Sequence, residues 1–70
     1  MQEANIGKSL REAQYIARLP TAKLAELLGE TRQAVYYTRK QKSANIHKVQ
    51  QLASIFGMSI DEFVRLGTDG

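Results

Sequence analysis

The sequence predicts an all-α protein, one compact bundle of five short helices in a chain of 70 residues. Three observations carry that expectation. Apolar residues recur at helical spacing, and no segment shows the strict alternation of a strand. Capping residues and glycines break the chain at helix-length intervals. The length allows a single small domain, placed at residues 1–66, with Gly67, Thr68, Asp69 and Gly70 as a flexible tail.

Each element has its own local reason. Ile6, Leu10, Ala13, Ile16 and Ala17 fall on one helical face, which predicts a first helix from Asn5 to Arg18, stopped by Leu19-Pro20. Leu24, Ala25, Leu27 and Leu28 make a short second helix ending at Gly29, the residue best suited to a left-handed position after a helix. Thr31 then caps a third helix, Arg32 to Lys40, whose inward stripe is Ala34, Val35 and Thr38. Asn45 caps a fourth, with Ile46, Val49, Leu52, Ala53 and Phe56 inward and Gly57 at its end. Ser59 with Glu62 three residues later is a capping box, so a fifth helix runs to Leu66 with Ile60, Phe63 and Val64 apolar. The expected core is Leu10, Ile16, Leu24, Leu28, Val35, Val49, Leu52, Phe56 and Phe63.

Composition narrows the function classes. A core of this size supplies only about 3–5 kcal/mol of net stability, which makes a homodimer a natural supplement. There is no cysteine, so disulfide scaffolds and cysteine-based zinc sites are out, and His47 alone cannot hold a metal. No apolar run approaches the roughly 20 residues needed to span a bilayer, and the third helix is too polar for a membrane-surface role. A cytoplasmic protein with no membrane partner is expected. Gly7-Lys8-Ser9 echoes the end of a phosphate-binding loop, but Gln2 stands where that motif needs glycine and no strand precedes it. Ser, His and Asp occur only as scattered residues, so neither enzymatic activity nor a cofactor is expected.

Charge is where the chain is lopsided. The net charge is +3, yet Thr31 to Ile60 holds no Asp or Glu while carrying Arg32, Arg39, Lys40, Lys42 and Lys48. The other residues carry five basic and seven acidic side chains. A one-sided basic surface is the electrostatic footprint of a polyanion partner.

Two helices joined by a short glycine-containing turn, the second polar and basic on its outer face, make the helix-turn-helix pattern of major-groove recognition. Counted from Thr21, the residues resemble those of the phage repressor and Cro family (lambda-repressor-like, XRE-type): Leu24 and Leu28 as apolar contacts, Ala25 where the helices cross, Gly29 in the turn and Val35 anchoring the recognition helix. The stretch VQQLASIFGMSIDEFV resembles the family's fourth and fifth helices, so the likeness covers Ile6 to Val64. Glu30 and Thr38 depart from it, standing where the family has apolar residues, as do Arg39 and Gln41, where it has Glu and Gly.

The resemblance implies that Arg32, Gln33 and Tyr37 read bases. Arginine reaches guanine O6 and N7, glutamine pairs with adenine N6 and N7, and tyrosine offers a ring edge to a thymine methyl. Tyr36 joins them as a base reader or else packs on the fourth helix. Thr21, Thr31, Arg39, Lys40, Lys42, Asn45 and Lys48 are expected at backbone phosphates, where contacts position without specifying. Phe56, Ile60, Phe63, Val64 and Leu66 offer more apolar area than one short helix normally buries and are candidates for a dimer surface.

The expected function is therefore that of a sequence-specific regulator binding double-stranded DNA, a Cro-like or minimal repressor of phage or prophage type. It acts as a homodimer on a palindromic operator, with no small-molecule effector. Two alternatives use the same fold: a protein-interaction module of antitoxin or adaptor type, and an RNA-binding domain that stacks bases on the tyrosines.

Overall fold

The computed structural model describes residues 4–68. Five helices run in the order α1 (Ile6–Ala17), α2 (Thr21–Leu28), α3 (Arg32–Lys40), α4 (Ile46–Ile55) and α5 (Ile60–Leu66), and there is no strand among the described residues.

Local chemistry sets the helix boundaries. Asn5, Thr31, Asn45 and Ser59 each turn a side-chain oxygen onto an amide in the first turn of the helix that follows, at 2.9–3.1 Å. Each bond satisfies one donor that the helix geometry leaves without a partner. Glu62 in turn accepts from the Ser59 N–H at 3.1 Å, completing the capping box. Pro20 precedes α2 without a side-chain cap. At the other ends, Gly29 stands at φ 68° and Gly57 at φ 67°. The Gly29 N–H donates to Glu26 O and the Glu30 N–H to Ala25 O, which closes α2 in a Schellman turn. α1 ends differently: Arg18 takes the left-handed conformation at φ 53°, so the chain turns before it reaches Pro20.

The core forms where these helices meet. Leu10, Leu24, Val35, Leu52 and Phe63 are fully buried, with Ile6, Ala13, Ala25, Val49 and Ala53 around them. α1 is the central element, packing on α3 and α5, while α2 packs on α3 and α4 on α5. Leu28 and Phe56 are half-buried against this cluster.

One residue expected in the core, Ile16, and one expected on an inward face, Ile46, lie outside it. Ile16 is 59% exposed, because the inward face of α1 turns through Gln14 instead, whose amide is buried and donates to Leu19 O and Thr21 Oγ1. Ile46 is 54% exposed: it is the first residue of α4, beyond the stripe of Val49, Leu52 and Ala53 that meets the core.

The start of α1 is gripped from two sides. The Ile6 N–H donates to Lys42 O at 2.9 Å and the Gly7 N–H to Gln41 O at 2.8 Å, so the chain leaving α3 receives amides that the Asn5 cap does not reach. On the other side the Asn5 N–H donates to Gly67 O at 3.2 Å, and Ser9 Oγ donates to Val64 O at 3.3 Å. Gly67, expected in a flexible tail, is buried, and Thr68 Oγ1 donates to Val64 O. A Cβ on Gly67 would collide with Asn5 O and Ser9, and one on Gly7 with the carbonyls of Arg39 and Gln41. The Gly-Lys-Ser echo is thus a packing feature. Asp69 and Gly70 lie outside the described residues.

Candidate nucleic-acid interface

α3 is built to show one face. Thr31 starts it, Val35 pins its back to the core, and Thr38 Oγ1 donates to Ala34 O, so the hydroxyl is satisfied within its own helix. Arg32, Gln33, Tyr36, Tyr37 and Lys40 are exposed, as is Lys42 just beyond. Tyr37 is 66% exposed and Tyr36 50%. Tyr36 is therefore not a core residue under α4. Its ring lies 5.8 Å from the Arg39 guanidinium carbon, and it borders a groove shared with Arg11 of α1.

Several residues expected at phosphates are occupied elsewhere. Arg39 is half-buried, and its Nη1 donates to Gln14 Oε1 at 3.1 Å and to Thr21 Oγ1 at 2.9 Å. One guanidinium thus ties the end of α3 to α1 and to the first residue of α2, and no buried side-chain nitrogen or oxygen among the described residues lacks a partner. Such a network is stable because every member is satisfied. The Thr21 side chain is buried in this network, its oxygen accepting from both Gln14 and Arg39.

Lys48 is taken up too. Its ammonium pairs with the carboxylate of Glu30, with both side chains about three-quarters covered. Glu30, directly after Gly29, reaches across to α4 through this ion pair. Thr31 and Asn45 turn their side-chain oxygens onto their own helices as caps. The cations left at the surface of this segment are Arg32, Lys40 and Lys42.

The expected dimer surface is largely used by the fold. Phe63 is fully buried and stacks on Phe56 at a centroid distance of 6.3 Å, so it cannot face a partner. Ile60, Val64 and Leu66 are partly buried against the core. A helix this short presents that much apolar area because it closes the bundle over α1 and α4. The large apolar side chains in solvent are Tyr15, Ile16, Leu27, Tyr36, Tyr37 and Ile46.

Electrostatics elsewhere are local. The Ser59 N–H and hydroxyl hold the Glu62 carboxyl below its ordinary value. Among the described residues no group of acidic, histidine or cysteine side chains could hold a metal ion. No helix among the described residues is long and apolar enough to cross a membrane.

Arg11 and Gln14 carry no local signal in the sequence that marks them for this interface. They matter through partners brought near by folding, Gln14 through a residue 25 positions away. Compared with family models, curated proteins and solved structures, the chain matches none.

Proposed function

We propose that this chain is a sequence-specific regulator that binds double-stranded DNA, places α3 in the major groove and acts by occupying promoter DNA. One observation carries the reading: Arg32, Gln33 and Tyr37 stand in solvent on a helix fixed from behind by Val35 and at its end by Arg39. Arginine and glutamine are side chains that pair bidentately with base edges, and they project from a support that does not have to reorganise. Lys40, at the far end of the same helix, and Lys42, just beyond it, supply backbone contacts. α2 and α3, joined through the left-handed Gly29, form the helix-turn-helix unit in this reading. Two copies on a palindrome would place half-sites about 34–36 Å apart, one helical turn of DNA.

Selection of bound sequences from random duplexes tests this directly. A palindromic consensus supports the reading. Binding to single-stranded RNA in preference to duplex, or no selection at all, overturns it. Gln33→Ala should then lose about 1–3 kcal/mol on the selected site while keeping nonspecific affinity.

A further inference from the structure

A groove between α1 and α3 is lined by Arg11, Tyr36, Arg39 and Lys40. Three cations and a phenol ring meet there, and among the described residues no carboxylate lines it. The three cations are held in different ways. Arg39 is fixed by Gln14 and Thr21, so its charge is a permanent part of the wall, within cation–π range of the Tyr36 ring. Arg11 is tethered through Nε, which donates to Gly7 O at 3.3 Å, leaving its terminal nitrogens for another acceptor. Lys40 stands exposed on the opposite bank. Like charges gathered around one opening repel, and an anion with several acceptor oxygens relieves that repulsion while using the donors.

We propose that this groove is the seat of one backbone phosphate of the bound duplex, with Arg11 and Lys40 on its oxygens and the Tyr36 ring beneath the adjoining sugar. The proposal rests on the reading of α3 as the DNA-contacting helix, and it extends that interface to α1. The helix surface supports the division. Arg32, Tyr36 and Lys40 follow one another at four-residue spacing and form one ridge, whereas Gln33 and Tyr37 form the next. Tyr36 and Lys40, the part of their ridge that lines the α1 groove, then belong to the backbone, whereas Arg32, at the start of the helix and outside the groove, goes with Gln33 and Tyr37 to the bases.

The test is fluorescence anisotropy on a selected duplex and on a scrambled one, each across a salt series. Arg11→Gln should weaken both by the same factor and leave the ratio between the two duplexes unchanged. It should also flatten the slope of log K against log salt by about 0.9 for the one phosphate that each chain no longer neutralises. Lys40→Gln should show the same signature, and Arg11→Lys should keep most of the slope. Tyr36→Ala should weaken both duplexes equally. Arg65→Gln, on α5, serves as the control and should leave the slope as it was; circular dichroism confirms that each variant is folded. If the parent binds with a salt-dependent affinity and Arg11→Gln leaves the slope unchanged, the groove holds no phosphate and only this proposal falls. If Tyr36→Ala changes the preferred base sequence, Tyr36 reads bases and the assignment is wrong. A parent that binds no duplex overturns this proposal together with the function it rests on.

Discussion

α3 and α5 are helices of similar length buried to opposite degrees. In α5, seven residues long, Phe63 is fully buried, Ile60, Val64 and Leu66 are partly covered, and Gly67 closes against α1. In α3, nine residues long, Val35 alone is fully buried, and most of the remaining side chains stand in solvent. The more apolar helix is the less available one. Apolar content on a short helix in so small a domain reports what the fold needs, and it is a poor guide to where a partner binds. A polar helix held at few points is the better candidate, because its exposed side chains contribute little to stability and can be chosen for recognition.

The largest difference should appear on truncation. Phe63→Ala removes a fully buried ring and should cost about 3–5 kcal/mol. That equals the net stability expected of a core this small, so circular dichroism in plain buffer should show a largely unfolded chain. Tyr37→Ala should change stability by less than about 0.5 kcal/mol. Equal losses for the two would erase the contrast.

Gly67→Ala probes the closure of α5 on α1. Its new methyl meets Asn5 O and Ser9 with no flexible end to yield, so urea unfolding should show a loss of about 1–3 kcal/mol. A midpoint matching the parent would mean that the two segments separate without cost.

Gly29→Val makes the corresponding change ahead of α3. Nothing lies within 4 Å of a Cβ there, so the cost is purely that of holding a β-branched residue at φ 68°, about 1–2 kcal/mol. Thermal melting of Gly29→Ala, Gly29→Leu and Gly29→Val separates the sources: valine should be the costliest if β-branching at positive φ is the cause, whereas a steric cause would make the larger leucine the costliest.

The smallest effect is a pH dependence confined to the start of α5. Because the Ser59 N–H holds the Glu62 carboxyl below the ordinary value of 4.5, the stability it contributes is fully present above that pH and is lost as pH falls through the lowered value. Glu62→Gln should flatten the acid limb of the stability profile, and an unchanged limb would assign it to other carboxylates.

What is legible in the sequence follows the range of the forces involved. Helix boundaries are readable because a cap acts over three residues: Asn45 before Ile46 and Ser59 before Glu62 state their roles locally. The exposed face of α3 is readable for a similar reason, since Val35 fixes its phase. The charges are not. Arg39, Lys40 and Lys48 look alike in a basic run, but Arg39 meets Gln14 and Thr21, Lys48 meets Glu30 18 positions away, and Lys40 stays in solvent. Only the folded arrangement distinguishes a cation that binds its own chain from one left for a partner. Ile16 and Ile46 depart from expectation for a related reason: which neighbours a helix meets decides its inward face, which in α1 runs through Gln14 and not Ile16, and how far along it burial extends, which in α4 stops short of Ile46.

The grip on the start of α1 bears on the order of folding. The bond from Ser9 to Val64 spans 55 residues, and closing a loop of that size must precede any reward from the contact. α2, α3 and the turn between them can assemble over short loops, whereas α1 meets α5 only after nearly the whole chain has been gathered. The amides of Asn5, Ile6 and Gly7, bonded to Gly67, Lys42 and Gln41, therefore join early sequence to late. In native-state hydrogen exchange they should open together, as the last latch to close in folding and a reporter of the first to release.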